Sequence, residues 1–175
     1  EQPSKPEDAD LLPVDKLILS KVNTLAKDVT ENMDKFELGI AVQKVYDFIW
    51  DEFCDWYVET AKYRIYHKEE EKAAADCVLW VLKTVLKQAL KLLHPFMPFI
   101  SEEIFCNLQE EEETIMVSQW PVYRDDWSFA KEEQSTETIK EAVRAIRVVR
   151  SSMNVPPSKK ATVYVLSLIH ISEPT

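Results

Sequence analysis

A single glycine, Gly39, occurs among the 175 residues of the chain. Folds that bind nucleotides on a parallel sheet need several glycines, because their phosphate loops and tight turns leave no room for a side chain. Apolar residues make up 46% of the sequence, which is too many for a disordered chain. The composition therefore predicts a mainly helical fold with a hydrophobic core.

The compartment can also be predicted from the sequence. No apolar run approaches the roughly 20 residues that span a bilayer, and the N-terminus EQPSKPEDAD does not resemble a signal peptide. We expect a cytoplasmic protein and, since the sequence does not begin with Met, an internal piece of a longer chain. The cysteines and histidines show no metal-ligand spacing, so we expect free thiols and no metal site.

The periodicity of apolar residues predicts five helices. We expect them at about 14–32, 37–66, 70–93, 98–108 and 136–153. The second carries a wide aromatic stripe and is expected to be a central helix that contacts more than one neighbour. Ile115–Tyr123 is predicted to be extended, and ATVYV, residues 161–165, alternates like the start of a strand. The predicted fold is mainly α: an antiparallel helical bundle followed by the start of a small α/β extension.

Composition divides the chain into five parts. Residues 1–12 form an acidic, proline-rich lead-in, and residues 13–109 form the bundle. Residues 110–135 are an acidic loop and linker, and residues 136–165 contain the basic helix and the strand start. The last ten residues, LSLIHISEPT, match the product of a common sequencing adapter, and LSLIHI could also continue the strand that ATVYV starts; we favour a non-native tail at residues 166–175.

The stretch HPFMPFISEEIF, residues 94–105, predicts a corner between two helices. Pro95 ends the third helix, since the residue before a proline avoids the α region, and Pro98 suits the first turn of the next helix. We expect a tight, buried corner with an apolar plug. The plug residues are Phe96, Met97, Phe99 and Ile100.

The second predicted helix carries two residue sets that each allow two interpretations. Asp47, Asp51, Asp55 and Glu59 recur every four residues. A di-metal centre would need Glu-x-x-His pairs, so a solvated acidic face is favoured. The aromatic set consists of Trp50, Phe53, Trp56, Tyr57, Tyr63 and Tyr66. We expect mostly core packing, with Tyr63 and Tyr66 as the exposed exceptions that could stack on RNA bases.

Charge is distributed unevenly along the chain, whose net charge is −10. Residues 1–136 hold 15 basic and 28 acidic groups, a net of −13, and residues 137–165 hold six basic and two acidic groups, a net of +4. Arg144, Arg147 and Arg150 recur every three residues, and Lys159 and Lys160 follow them. They form either a phosphate-binding patch or an ordinary charged helix surface.

Three motifs resemble the anticodon-binding domain of class I aminoacyl-tRNA synthetases. They are DKLILSKVN with DKFELGIAVQKVYDFIWDEFCDWYVETAK, LLHPFMPFISEEIF with IMVSQWP, and AIRVVRSSMNVPPSKKA. The resemblance covers about residues 11–165. HPFMPFISEEI also fits the isoleucyl and leucyl members, whereas FIWDEFCDWYVE and MNVPPSKK are typical of valyl members.

The resemblance implies a tRNA-binding segment of an enzyme that joins valine to tRNA with ATP and Mg²⁺. The catalytic and editing domains would lie elsewhere, so we expect the segment to be inactive and to hold no cofactor. The expected partners are tRNA, specifically valine tRNA, and the catalytic domain of the same chain, in a monomer. Candidate tRNA contacts are Lys62, Tyr63, Arg64, Tyr66, Arg144, Arg147, Arg150, Asn154, Lys159 and Lys160.

Two alternatives stay open at this point. The domain could come from an isoleucyl- or leucyl-tRNA synthetase, in which case it would bind a different tRNA. It could also be a helical protein-interaction domain that ignores RNA, which would show an exposed apolar groove. The family's first bundle helix would precede Glu1, so base-reading residues are expected there.

Overall fold

The computed structural model describes residues 6–7, 10–67, 72–108, 112–156, 158–160 and 162. Within them lie six α-helices, namely α1 (Pro13–Asp34), α2 (Leu38–Asp47), α3 (Glu59–Tyr66), α4 (Lys72–Leu93), α5 (Pro98–Leu108) and α6 (Ala130–Ser152). A π-helical segment, Phe48–Val58, joins α2 to α3. The described residues contain no strand, so the predicted mainly helical fold is confirmed. The predicted strand start lies almost entirely outside them.

The aromatic second predicted helix contacts both α1 and α4, so the prediction that it touches more than one neighbour is confirmed, and α1 is a further central helix of the bundle. Ten residues of α1 are buried, and the helix contacts α2, the π-helical segment and α4. Leu17, Ile18 and Leu19 are consecutive and all buried. Because consecutive helical residues point about 100° apart, α1 is enclosed on several sides. Pro13 occupies its first position, where a helix does not need the N–H that proline lacks.

The π-helical segment changes the register of the buried face along the second predicted helix. The buried positions Ala41, Val45 and Phe48 follow an α-helical spacing, but the next buried residue is Phe53, five positions later. This wider step matches the extra residue that a π-turn adds to each turn of helix. Trp50, which the sequence assigns to the core, lies about 180° around the helix from Ala41 and is 56% exposed.

The corner between α4 and α5 begins and ends where the prolines predict. The predicted apolar plug is wrong for Phe99, Met97 and Ile100, which are 90%, 51% and 48% exposed, whereas Phe96 is partly buried and packs against the core. The corner is held by hydrogen bonds around the buried Ser101 instead. Its hydroxyl donates to the Met97 carbonyl at 2.8 Å and lies 2.8 Å from Nδ1 of His94. Sequence patterning missed this because it assigns apolar side chains near prolines to the core.

Residues 118–124, which we call the strap, run without helix along α1. The Trp120 indole N–H donates to the Thr30 hydroxyl at 2.8 Å. The Asn23 amide donates to the Arg124 carbonyl at 2.7 Å, and its side-chain oxygen accepts from the Arg124 N–H at 2.8 Å. Within the predicted extended segment, Ile115–Tyr123, residues 118–123 are free of helix and Ser118 has an extended backbone. The prediction is wrong for Ile115–Val117, which form a 3₁₀ turn.

The last described helix, α6, begins six residues earlier than its predicted start at about Thr136. Its first turns are tied to α1 by Lys16, which pairs with Glu132 at 3.7 Å, and by Lys21, which pairs with Glu137 at 3.1 Å. These partners lie over one hundred residues apart, so local periodicity cannot reveal them.

The chain divides into two compact units within α6. The first ends at Glu137 and the second begins at Thr138. None of the described helices is both long enough and apolar enough to cross a membrane.

Candidate nucleic-acid interface

The second unit carries the predicted arginine row on the C-terminal half of α6. Arg144 and Arg147 are exposed. Arg150 is half-buried, and its guanidinium donates to the carbonyls of Pro156 at 2.9 Å and Lys159 at 2.6 Å. Two of the three arginines thus present their side chains outward, and the third also holds the following loop against the helix end.

The loop after α6 has a defined backbone geometry. Asn154 lies in the left-handed region with φ 52°. Its N–H donates to the Ser151 carbonyl at 3.0 Å, and the Val155 N–H donates to the Arg150 carbonyl at 2.9 Å. This pair of bonds is a Schellman cap, a motif in which asparagine replaces the usual glycine. Asn154 therefore ends the helix, and its exposed position leaves open the predicted contact with tRNA.

Two exposed lysines complete the predicted patch in this unit. Lys159 and Lys160 are both exposed, and the Lys159 carbonyl accepts from Arg150. Because a hydrogen bond holds the backbone of Lys159 to the helix, its exposed side chain extends from an ordered loop. The predicted arginines and lysines therefore lie on one helix and the loop that it anchors.

The first unit carries the other predicted contacts at the end of α3. Tyr63 and Tyr66 are 70% and 78% exposed, as the sequence predicts. The Tyr63 ring packs on the His67 imidazole with the centroids 4.2 Å apart. Lys62 pairs with Glu59, and this hydrogen bond raises the pKa of its ammonium. These residues could stack on bases, although the carboxylate of Glu59 offsets the charge beside them.

Arg64 has a structural role that its sequence position does not reveal. Its guanidinium donates to both carboxylate oxygens of Asp15, with Nη1–Oδ2 at 2.8 Å and Nη2–Oδ1 at 2.5 Å. Asp15 is completely buried and also accepts from the Tyr57 hydroxyl at 2.7 Å. A guanidinium held in this way is not presented to a ligand. The geometry gives no support to Arg64 as a tRNA contact.

The same cluster shifts the pKa values of its neighbours. Burial and then the charge of Asp15 raise the pKa of the Tyr57 hydroxyl far above its ordinary value. Burial acts to lower the pKa of Arg64, but the hydrogen bonds and charge of Asp15 outweigh it, and the pKa is raised. Burial also raises the pKa of the Cys77 thiol. The Tyr57 hydroxyl and the Arg64 guanidinium therefore stay protonated and keep donating to Asp15.

A lysine row on α4 was not among the residues that the sequence pointed to. Lys83, Lys87 and Lys91 lie four residues apart, so they share one side of the helix. The ammonium groups of Lys87 and Lys91 each lie 5.8 Å from the centre of the buried Phe105 ring. Burial lowers the pKa of Lys91, the charge of Lys87 adds to this, and the charge of Glu112 opposes it.

Lys91 also stands between two adjoining cavities beneath the strap, which we together call the strap groove. One cavity of about 210 Å³ is lined by residues including Gln88, Lys91, Trp120 and Arg124. The other, of about 160 Å³, is lined by residues including Lys91, His94, Met116 and Trp120. The strap groove therefore combines cationic, amide and aromatic side chains in one place.

The family model for the anticodon-binding domain of tRNA ligase matches residues 15–165 of the chain. The match covers most of the sequence. The chain belongs to this family.

Relatives of this anticodon-binding domain lie within valine–tRNA ligases. The valine–tRNA ligase of Clostridium tetani is 50% identical over 154 residues, which is 88% of this chain and 17% of that protein. That of Clostridium perfringens is 52% identical over 149 residues, or 85% of this chain and 17% of that protein. That of Fusobacterium nucleatum is 46% identical over 156 residues. The chain thus spans about 17% of the length of these relatives.

All ten predicted contacts of the anticodon-binding domain lie inside the matched residues, and they belong to two different units. Six lie in the second unit and four in the first. The sequence could have shown the α4 lysine row through its four-residue spacing. The net charge of the first 136 residues is negative, and such a sum does not reveal a local row of cations.

Proposed function

We propose that this anticodon-binding domain is the tRNA-binding part of a valine–tRNA ligase. The single observation that carries the proposal is the 50% identity to such a ligase over 88% of the chain, on top of the family match. The whole enzyme would attach valine to its tRNA with ATP and Mg²⁺ in the cytoplasm. The catalytic domain in the remainder of the protein would be its partner.

The domain's own residues support binding rather than catalysis. The sequence has one glycine and no phosphate-binding loop, so the residues present do not fit ATP, and no chemical step is assigned to them. The helices hold side chains in fixed directions. Arg144 and Arg147 would contact tRNA phosphates, because an exposed guanidinium binds a phosphate with two parallel hydrogen bonds. These contacts would position the tRNA and would not read its bases.

An acidic protein can bind a polyanion when its cations are concentrated. The arginines of α6 and the lysines of the following loop all lie in a stretch with a net charge of +4. Coulombic repulsion from exposed carboxylates farther than a Debye length, about 8 Å at physiological salt, is largely screened. The bulk negative charge then weakens long-range attraction without preventing local phosphate contacts.

A binding experiment tests the proposal against both alternatives. The chain is titrated with purified valine, isoleucine and leucine tRNAs at low and physiological salt. The proposal predicts the tightest binding to valine tRNA. Equal affinity for the three tRNAs would contradict the valine assignment, and no binding at low salt would favour a protein-interaction domain.

Substituting the exposed arginines identifies the contact surface. Arg144→Ala with Arg147→Ala should weaken tRNA binding and reduce the slope of log affinity against log salt by about two, since each lost phosphate contact removes about 0.9. Arg144→Lys with Arg147→Lys is the matched control, because it keeps both charges and should preserve the slope. An unchanged slope in the alanine variant would remove these arginines from the interface.

A further inference from the structure

The strap groove and the other charged groove of the first unit are lined by side chains of opposite net charge. The groove between α1 and the π-helical segment is lined by five carboxylates, from Asp28, Asp47, Asp51, Glu52 and Glu133, together with two lysines. Among the described residues, those that line the two cavities of the strap groove include no carboxylate. In a chain of net charge −10, a lining that holds Lys91 and Arg124 favours an anionic ligand, although the charge of Glu112 reaches Lys91 and Asp126 pairs with Arg124.

Lys91 supplies the strongest donor in the strap groove. The ammonium is half-buried, and within the described part of the chain its interactions are the Phe105 ring at 5.8 Å and the charges of Lys87 and Glu112. An ammonium carries three N–H donors, and an aromatic face satisfies them only weakly. A partly buried cation that lines both cavities is therefore ready to donate to an anion between them.

The remaining lining of the groove fits an unpaired nucleotide. The side chains of Gln88 and Gln119 provide amide donors and acceptors, as required by the edge of a base. Trp120 lines both cavities, and its indole is fixed by the hydrogen bond to Thr30. Cavities of 210 and 160 Å³ lie below the range of about 300–1,000 Å³ that holds a drug-sized ligand. They suit a single base and a phosphate.

We propose that the strap groove binds one unpaired nucleotide of RNA, with its phosphate on Lys91 and its base against Trp120 and the glutamine amides. The inference rests on the proposed function, since it takes the RNA to be tRNA. It adds a second contact in the first unit, on elements from which no tRNA contact was predicted. Arg124 lines the same groove and would support the phosphate, although Asp126 pairs with it at 2.6 Å.

The chain offers a closely matched control for this site. Lys87 lies one turn before Lys91 and the same distance from the same Phe105 ring, but it does not line either cavity. Lys91→Met and Lys87→Met each remove one charge and retain an unbranched apolar side chain over the ring. Any difference between the two variants in binding therefore reports on the groove and not on the charge of α4.

Two measurements test the inference. In tRNA titrations, Lys91→Met should weaken binding by about tenfold and reduce the salt slope by about one, whereas Lys87→Met changes both by less. In NMR titrations with adenosine 5′-monophosphate, the Trp120 indole N–H signal, assigned with Trp120→Phe, should shift in the wild type and in Lys87→Met but not in Lys91→Met. Urea unfolding confirms that the variants are folded.

The possible outcomes separate this inference from the proposed function. If the wild type fails to bind tRNA, the proposed function fails, and the nucleotide titration still tests the groove. If the wild type binds tRNA but Lys91→Met and Lys87→Met behave alike, the groove inference alone is overturned. If inorganic phosphate shifts the Trp120 signal as much as the nucleotide does, the groove is an anion site and the assignment to a nucleotide is wrong.

Discussion

The buried carboxylate of Asp15 makes the sharpest prediction about stability. Its oxygens accept from the Leu12 N–H at 3.0 Å, the Tyr57 hydroxyl at 2.7 Å, and the two terminal nitrogens of Arg64 at 2.8 and 2.5 Å. Asp15→Asn keeps the shape of the side chain but removes the charge and replaces an acceptor with a donor. The Arg64 guanidinium then remains in a largely buried position without its counter-charge.

The size of the effect follows from this geometry. Removing one partner of a buried ion pair costs about 3–5 kcal/mol. The Arg64 side chain is 11% exposed, so water screens it slightly, and we expect about 3 kcal/mol of lost unfolding free energy. Tyr57→Phe removes one hydrogen bond and should cost about 1 kcal/mol. Asp15→Asn combined with Arg64→Met should recover part of the loss, since no buried charge is left unpaired.

Urea unfolding followed by far-ultraviolet circular dichroism measures these differences. The midpoint should fall in Asp15→Asn, with little change in the slope that reports exposed surface. Asp126→Asn is the control, because it removes the exposed partner of Arg124 and should leave the midpoint almost unchanged. If Asp15→Asn lies within about 0.5 kcal/mol of the wild type, the cluster does not stabilise the bundle as argued here.

Three further predictions concern single positions. Phe36 is 88% exposed at φ 59°, so Phe36→Gly should raise the unfolding free energy by about 0.5–1 kcal/mol, and a lower urea midpoint would contradict this. Hydrogen bonds from the Thr114 hydroxyl and the Ile115 N–H lower the pKa of Glu102 below its ordinary 4.5. The stability that the ionised Glu102 adds to the fold is therefore fully present above pH 4.5 and is lost as the pH falls through the lowered pKa. An NMR titration midpoint at or above 4.5 would refute this. Arg150→Met should speed trypsin cleavage in the loop after α6, measured by mass spectrometry, and an unchanged rate would show that its carbonyl contacts do not order the loop.

Local sequence signals predicted the helices of this domain. Pro13 and Pro98 lie at the first positions of α1 and α5, because proline lacks an N–H that the first helical turn does not need. The exposed Tyr63 and Tyr66 were also predicted, since they follow the apolar stripe at the end of the second predicted helix. In each case the information lies within a few residues of the feature.

Features that depend on distant partners were not predictable. Arg64 was assigned to the tRNA surface because it lies beside Tyr63 and Tyr66 at the predicted exposed end of the helix, but Asp15, 49 residues earlier, binds its guanidinium. Trp50 was assigned to the core as a member of the aromatic set, but it lies opposite the buried face that Ala41, Val45 and Phe48 form and is 56% exposed. The groove beside Lys91 exists only because the strap packs along α1. The hydrogen bonds that hold the strap there join residues 90 and 101 positions apart in the sequence.

The most direct test of the account is a hydroxyl-radical footprint of valine tRNA bound to this chain. An anticodon-binding domain that uses the α6 arginines should protect the backbone of the anticodon arm, and the protection should weaken in Arg144→Ala with Arg147→Ala. Protection confined to the acceptor stem, or protection that the double substitution leaves unchanged, would contradict the central claim that these side chains bind the anticodon arm.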